Sequence, residues 1–373
     1  MSRIALALLL SATAFAAPAQ DACLDQALRG VDAAALPGQI VVSTLAPGGA
    51  RQTRVLGDHA GTSRLAGTEG FRIASITKSF VAATVLRLHE DGKINLQAPI
   101  TRYLPTEWTD LLATDGYKPQ EITVRHLLSH TSGMADAEQA PQFIATIKAN
   151  PATQWTRQGD LANLVAWTDP VGQPGEKFSY SDTGYVLLGA IVERITGQTL
   201  PQAVRSELQL DRLGLPDTYW ERYEPANERV RVHQLFEGLD TYAWDPSMDL
   251  YGGGGLVATP ADLTVFFDAL LAGRVFKHPE TLALMESAAG LPKDSPYRLG
   301  LFDYDLDGTR AWGHSGFWGT LVVHEPVSDR TIAGAVTDRS AYPVLKDLVS
   351  RYAKAAAGTQ GCNATAASTA ANR

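Results

Sequence analysis

Three short groups of residues carry side chains that could do chemistry together. The first is Ser75-Ile76-Thr77-Lys78. Three positions separate the hydroxyl from the amine, so on a helix the two lie on one face about a turn apart. A lysine enclosed among apolar residues has its ammonium disfavoured by desolvation, and its neutral amine could then take the serine proton. A helix N-terminus beside the serine would favour negative charge developing there. The same spacing also describes an ordinary surface lysine in a first helical turn, and short motifs of this kind recur by chance. The second group is Tyr180-Ser181-Asp182, which follows Pro174-Gly175-Glu176-Lys177-Phe178 and precedes the apolar stretch Tyr185 to Ile195. The third is His314-Ser315-Gly316-Phe317. Glycine at 316 would let a substrate backbone lie along a strand, and the Phe317 amide could meet an oxyanion together with the Ser75 amide.

The surrounding periodicities indicate what must hold these groups in place. From Ser75 to Asp91 the chain carries Ile76, Phe80, Val81, Ala82, Ala83, Val85, Leu86 and Leu88, apolar nearly all round, and stops at Gly92. Such a helix is buried. Gln39 to Ala46 and Arg51 to Leu56 flank Pro47-Gly48-Gly49 as a hairpin. Leu299 to Tyr304, Thr309 to Gly313, Phe317 to His324 and Thr331 to Thr337 read as an antiparallel meander, with His314 to Gly316 between two of its strands. Residues 93–249 are mostly helical with Pro- and Gly-marked loops. The expected fold is mixed α/β. An antiparallel sheet flanked by helices is built from about 20–92 and 250–357, an inserted all-helical lobe spans about 93–249, and a cleft lies between. Thr123 as an N-cap and Gly133 as a helix stop give His126, His130 and Ser132 a structural role. Thr259-Pro260 reads as another helix start.

The order Ser-x-x-Lys, Tyr-x-Asp, His-Ser-Gly resembles that of the penicillin-recognising serine hydrolases, in the branch of class C β-lactamases, D-alanyl-D-alanine carboxypeptidases and related esterases. Framing segments resemble it too: Phe71 to Lys78, Ile122 to Met134, Gly253 to Leu263 and Trp312 to Gly316. The resemblance implies a β-lactamase/transpeptidase-like fold, Ser75 as the acylated nucleophile, Lys78 as its activating partner and Tyr180 as the proton relay to the leaving group. It also implies that His314 and Ser315 hold the substrate. Two positions depart from the family pattern. Asp182 stands where Asn is usual, which removes an amide that could donate to an acylamino carbonyl. His314 stands where Lys is often found, which removes a permanent cation for a carboxylate. Asp182 is expected to bond Lys78, keeping the lysine charged and drawing Tyr180 towards the phenolate. The alternative is that it caps a helix starting near Tyr185.

The chain's 373 residues, 45% apolar and 19% charged, suffice for a large core and exclude a disordered protein. Arg3, the apolar run Ile4 to Leu10 and Ala17-Pro18-Ala19 form a secretory signal, expected to end near residue 19, so the product is expected in the periplasm or secreted. Without Arg3, 31 basic residues face 40 acidic ones, which disfavours nucleic acid as a partner. No lipid or membrane anchor is expected, and the chain reads as a monomer that takes a small-molecule or peptide substrate. No zinc-type spacing occurs among the eight His, and no cofactor is needed for an acyl-enzyme. Cys23 and Cys362 are the two cysteines, and export would let them form a disulfide joining the N-terminal helical stretch to the last helix. Residues 361–373 are expected to be a disordered tail. The reading is an exported serine hydrolase of esters or D-alanyl amides. The alternatives are a class C-like β-lactamase and a non-catalytic binding protein on the same fold.

Overall fold

The structure, a computed structural model, describes residues 21–57, 63–226 and 230–358. The expected signal segment, Cys362 and the expected disordered tail lie outside the described residues. The sheet runs β2–β1–β11–β10–β9–β8, antiparallel throughout, and joins the two ends of the chain. Its strands are β1 (Ile40–Leu45), β2 (Arg51–Leu56), β8 (Phe302–Leu306), β9 (Thr309–Gly316), β10 (Thr320–Glu325) and β11 (Arg330–Val336). The expected hairpin is β1–β2 and the expected meander is β8 to β11. The meander differs in one respect: β9 runs on to Gly316, so His314, Ser315 and Gly316 are strand residues paired with β10 and not a connection between strands.

Every residue of β1 and β10 is buried, because helices cover both faces of the sheet. The two-residue period of a strand sends Leu321, Val323 and Ile332 into one cluster with the helices Ala22–Leu28 and Tyr342–Ala357. Val322 and Ala333 go to the other face, with Phe266 and Phe267 of the helix Pro260–Leu271 and with the helix Thr77–Glu90. Phe80 stacks on Phe266 at 3.5 Å between ring centroids, which locks the helix carrying Lys78 against the sheet-covering helix. Thr259 caps that second helix with Pro260 at its first position, as its sequence indicates.

The middle of the chain is mainly helical but contributes strands too. Of β3 (Phe71–Arg72), β4 (Tyr219–Trp220) and β7 (Leu256–Ala258), β7 is central, so a piece of the predicted all-helical segment builds a small sheet under the site. β5 (Leu235–Phe236) and β6 (Leu239–Asp240) form a short hairpin. Thr123 caps the helix Val124–Leu128 with His126 completing a capping box. Gly133 does not stop this helix, which already ends at Ser129. At φ +80° Gly133 instead makes the close approach to Gly172, whose carbonyl would lie 2.3 Å from an added Cβ. Among the described residues no helix is long and apolar enough to cross a membrane.

Candidate active site

The nucleophile turn is pinned before it begins. The Arg72 amide donates to the Gln234 side chain at 2.9 Å, and its guanidinium donates to Glu221 and to the Thr241 and Trp244 carbonyls at 2.7–3.0 Å. The Ile73 amide donates to Leu256 of β7 at 3.0 Å. The chain then makes a 3₁₀ turn over Ala74–Ile76, with Ala74 at φ +44°, a strained conformation for a residue with a Cβ. Ser75 therefore sits on this turn and not in the α-helix itself, which begins at Thr77. Even so, Lys78 Nζ donates to Ser75 Oγ at 2.9 Å, the contact the spacing predicts.

Lys78 is 0% exposed, yet its surroundings are not apolar. Nζ also donates to the Gly253 carbonyl at 2.7 Å and to Asp182 Oδ1. Burial by itself pulls the ammonium down, but the negative charge of Asp182 in contact with it overrides this and holds Lys78 well above the usual lysine range. Lys78 is thus the ammonium expected from its pairing with Asp182, and not the desolvated neutral amine that the Ser75–Lys78 spacing taken alone would allow. Tyr180 interacts with both Ser75 and Lys78. Burial raises its phenol well above the usual value; Lys78 draws it down and Asp182 pushes it back up. The expected shift of Tyr180 towards the phenolate is therefore not found, because desolvation outweighs the lysine.

Asp182 is the first residue of the helix Asp182–Thr196, and Ser181 occupies the N-cap position. The helix starts three residues earlier than the apolar pattern indicates, so Asp182 is not the cap and its carboxylate reaches Lys78. Glycine is required beside this pair, since a Cβ on Gly253 would lie 2.9 Å from Asp182 Oδ1. More carboxyl groups surround it. Asp136 Oδ1 accepts the amides of Asp182 and Glu138 at 3.4 and 3.2 Å. Burial first, and then repulsion from Asp182, raises Asp136 to about 7. Asp249 also stands at about 7, with burial and Asp182 pushing it up against the pull of Lys78.

β9 forms the facing wall. A Cβ on Gly316 would lie 2.1 Å from the Ile73 carbonyl, so glycine here lets the strand close on the nucleophile turn. His314 is 1% exposed and its hydrogen bonds define its proton. Nδ1 lies 2.8 Å from the Ser315 carbonyl, which only accepts, so Nδ1 carries the hydrogen and Nε2 accepts from the Tyr297 hydroxyl at 3.0 Å. Burial, with Lys78 nearby, lowers the imidazole to about 3. His314 is therefore neutral and its ring donor is already engaged. Arg298 and Arg310, the nearest cations in sequence, both bind Asp303. Arg339 reaches the site instead, its Nε donating to the Phe317 carbonyl at 2.6 Å.

These walls enclose a cavity of about 410 Å³ bordered by Ser75, Tyr180, Asp182, His314, Ser315, Gly316 and Phe317, whose ring is 45% exposed at the rim. Glu138, Asp249 and Arg339 line it too, and Phe143, Ile144, Ile147, Phe236, Met248 and Trp318 give it an apolar side. The sequence reading did not single out Glu138, Asp249 or Tyr297. Only the glycine run beginning at Gly252, just after Asp249, marks that loop as one that packs closely. Among the described residues no cluster of His, Cys, Asp and Glu is arranged to hold a metal ion.

Residues 22–357 match the family described as Beta-lactamase. Esterase EstB of Burkholderia gladioli is 29% identical over 360 residues, 85% of this chain and 88% of that protein. Penicillin-binding protein 4 of Amycolatopsis lactamdurans is 29% identical and covers 70% of each chain. The D-stereospecific amidohydrolase from Streptomyces sp. superposes with a TM-score of 0.73 at 26% identity, covering 89% of this chain and 98% of that one. With a family match over nearly the whole described chain and a buried Ser75–Lys78–Tyr180 cluster at the foot of a cavity, this protein belongs to the beta-lactamase family and is a serine hydrolase.

Proposed function

We propose that the enzyme opens ester or amide bonds through a Ser75 acyl-enzyme and acts on neutral or amine-bearing substrates, a small ester, a D-alanyl peptide or another D-aminoacyl amide, in preference to anionic β-lactams. The observation that carries this reading is the convergence of Ser75, Lys78 and Tyr180 beneath a cavity in which the Lys78 charge is already paired with Asp182. Ser75 Oγ bonds to the carbonyl carbon, and the carbonyl electron pair moves to an oxygen met by the Ser75 and Phe317 amides. The serine proton passes to Lys78 as Lys78 gives one of its own to Asp182, the carboxylate in contact with it. Tyr180 protonates the leaving group and recovers a proton through Lys78, which regains its own from Asp182. Water repeats the sequence on the acyl-enzyme and releases the acid.

Charge supports the substrate preference. A carboxylate entering beside Ser75 meets a neutral His314 and, above about pH 7, the charged Asp249 on the wall, whereas an ammonium is favoured there; Glu138, pushed well up by burial and by Asp182, is held towards its neutral form. Arg339, the other cation on the wall, is engaged by the Phe317 carbonyl and the Tyr342 ring. The amidohydrolase that superposes on the chain is described as D-stereospecific, which agrees with a D-aminoacyl substrate.

A panel of p-nitrophenyl esters, D-alanyl amides and nitrocefin, read beside intact-mass detection of a Ser75 adduct, tests this. Esters and amides should turn over with the adduct present, and nitrocefin should acylate poorly at pH 8. Because Asp249 carries its charge only above about 7, the nitrocefin-to-ester ratio should rise as pH falls through that value, and Asp249→Asn should flatten the rise. Turnover that a chelator abolishes, with no adduct, would overturn the reading.

Export and the disulfide are part of the same proposal. Cys23 is buried in the helix Ala22–Leu28, which packs on Tyr342–Ala357, and Cys362 follows the last described residue, Gly358, by four positions. Pairing them would close most of the chain into one loop, stabilising by about 6 kcal/mol in the chain-entropy picture, with real values often smaller. The mature protein is expected to show no titratable thiol when denatured without reductant, and Cys23→Ser to melt lower. Two titratable thiols would refute the pairing.

A further inference from the structure

His130 belongs to the segment Leu128-Ser129-His130-Thr131-Ser132-Gly133, to which the sequence assigns only a structural role, and it takes no part in the proton path above. Its surroundings show what it does. Its carbonyl accepts the Ser179 amide at 2.8 Å, and its ring Nδ1 lies 3.1 Å from the Ser181 amide. These are the residues immediately before and after Tyr180. The imidazole also packs on the Tyr180 ring, 4.1 Å between centroids at 30°. One residue therefore holds the chain on both sides of Tyr180 and the face of its ring.

We propose that His130 is the positioning residue for Tyr180, acting through the neutral imidazole whose Nδ1 accepts the Ser181 amide. This rests on Tyr180 taking part in the acyl-transfer reaction.

Two further observations support the role. A backbone amide only donates, so Nδ1 must be bare and the hydrogen must sit on Nε2. That N–H is buried and has no protein partner among the described residues. Packing alone does not account for an imidazole here. His130 is enclosed by Phe178, Tyr180, Tyr185 and Tyr297, where a phenyl ring would pack without an unsatisfied N–H. What a phenyl ring lacks is the acceptor. The backbone conformation narrows the choice as well: His130 has φ +54°, a region that Asn and Asp tolerate and most side chains do not. The charged and titratable groups facing the ring keep it neutral. Burial comes first, then Lys78 and His314, and together they hold His130 well below the usual histidine range, while Tyr180, Tyr185 and Tyr297 remain un-ionised phenols.

The test compares two substitutions in the full-length enzyme. His130→Phe keeps an aromatic ring but removes the acceptor, whereas His130→Asn suits the left-handed backbone and offers an oxygen where Nδ1 stood. With p-nitrophenyl acetate, His130→Phe is expected to lower kcat by roughly 10- to 100-fold with KM little changed, the effect of misplacing a catalytic group by about an ångström. Its pH–kcat profile should shift as Tyr180 moves relative to Lys78. His130→Asn should recover most of kcat and the parent profile. Wild-type kcat in the Phe variant, or equal losses in the two variants, would overturn the proposal. Should the Phe variant not fold, ¹⁵N-histidine NMR of the unmodified enzyme decides: the Nε2–H tautomer supports the assignment and the Nδ1–H tautomer overturns it. A Ser75 adduct in the unmodified enzyme tests the acyl-enzyme reading separately, so its failure is distinguishable from failure of the His130 role.

Discussion

Replacing Ser75 by alanine should abolish turnover, by about four orders of magnitude or more, and with it every covalent adduct from a fluorophosphonate or penicillin probe. The size of the effect follows from the site's construction. Lys78 and Tyr180 both bond to the Ser75 hydroxyl at the foot of the cavity, so the proton path converges on that one oxygen. Without that oxygen no acyl-enzyme forms, and only the slower attack by bound water remains. The fold should be little affected. Ser75 lies on a turn held by Arg72, Ile73 and Thr77, whose contacts run to β7 and the Gln234–Trp244 segment and not to the serine hydroxyl. Intact mass after probe treatment and a thermal melt measure both halves of this expectation. A Ser75→Ala protein that still hydrolyses esters at the parent rate would end the acyl-enzyme reading.

The second large effect is expected from Asp182→Asn. In the native site Lys78 is an ammonium because Asp182 offsets the burial that would otherwise neutralise it. Removing that charge leaves a lysine with no exposed surface and no anion in contact, and desolvation then lowers its pKa. The proton acceptor changes from a carboxylate reached through the lysine to the lysine amine itself. An amine must first lose its proton, so the acid limb of kcat/KM should move to higher pH, with activity at pH 6 falling roughly 10- to 100-fold and recovering in alkaline buffer. The new amide can also donate a hydrogen bond, so N-acylamino substrates should gain relative to simple esters. A pH–rate profile on p-nitrophenyl acetate and on an N-acyl-D-alanyl ester reads both changes. If the variant keeps the parent profile and ranking but melts lower, Asp182 is a structural ion-pair partner and the proton path through it is wrong.

Much of this architecture is already visible along the chain, wherever a local pattern carries it. The β1–β2 hairpin, the meander and the buried Thr77–Glu90 helix are visible because a strand's period of two and the all-round apolar surface of a core helix are written in consecutive residues. The cap at Thr123 and the helix start at Thr259-Pro260 are visible because a capping side chain answers amides two or three residues on. The errors fall where a tertiary contact decides. β9 continues through His314 to Gly316 because β10 offers a partner there, and the short β4 exists because β7 needs a neighbour.

The same division separates the chemistry. The sequence alone determines that a serine and a lysine three residues apart can share a face, and its resemblance to the family adds Tyr180 and the His314–Gly316 segment and marks Asp182 and His314 as departures. These are matters of residue type, short spacing and motif order. The protonation states were decided by the tertiary structure. Asp182, 104 positions from Lys78 in the chain, makes that lysine a cation, Tyr297 and burial make His314 a neutral acceptor, and His130 grips the backbone on either side of Tyr180. A pKa depends on the charges within a few ångströms and on the water excluded around them. Both quantities arise only when distant segments close on one cavity, so no window of the sequence contains them.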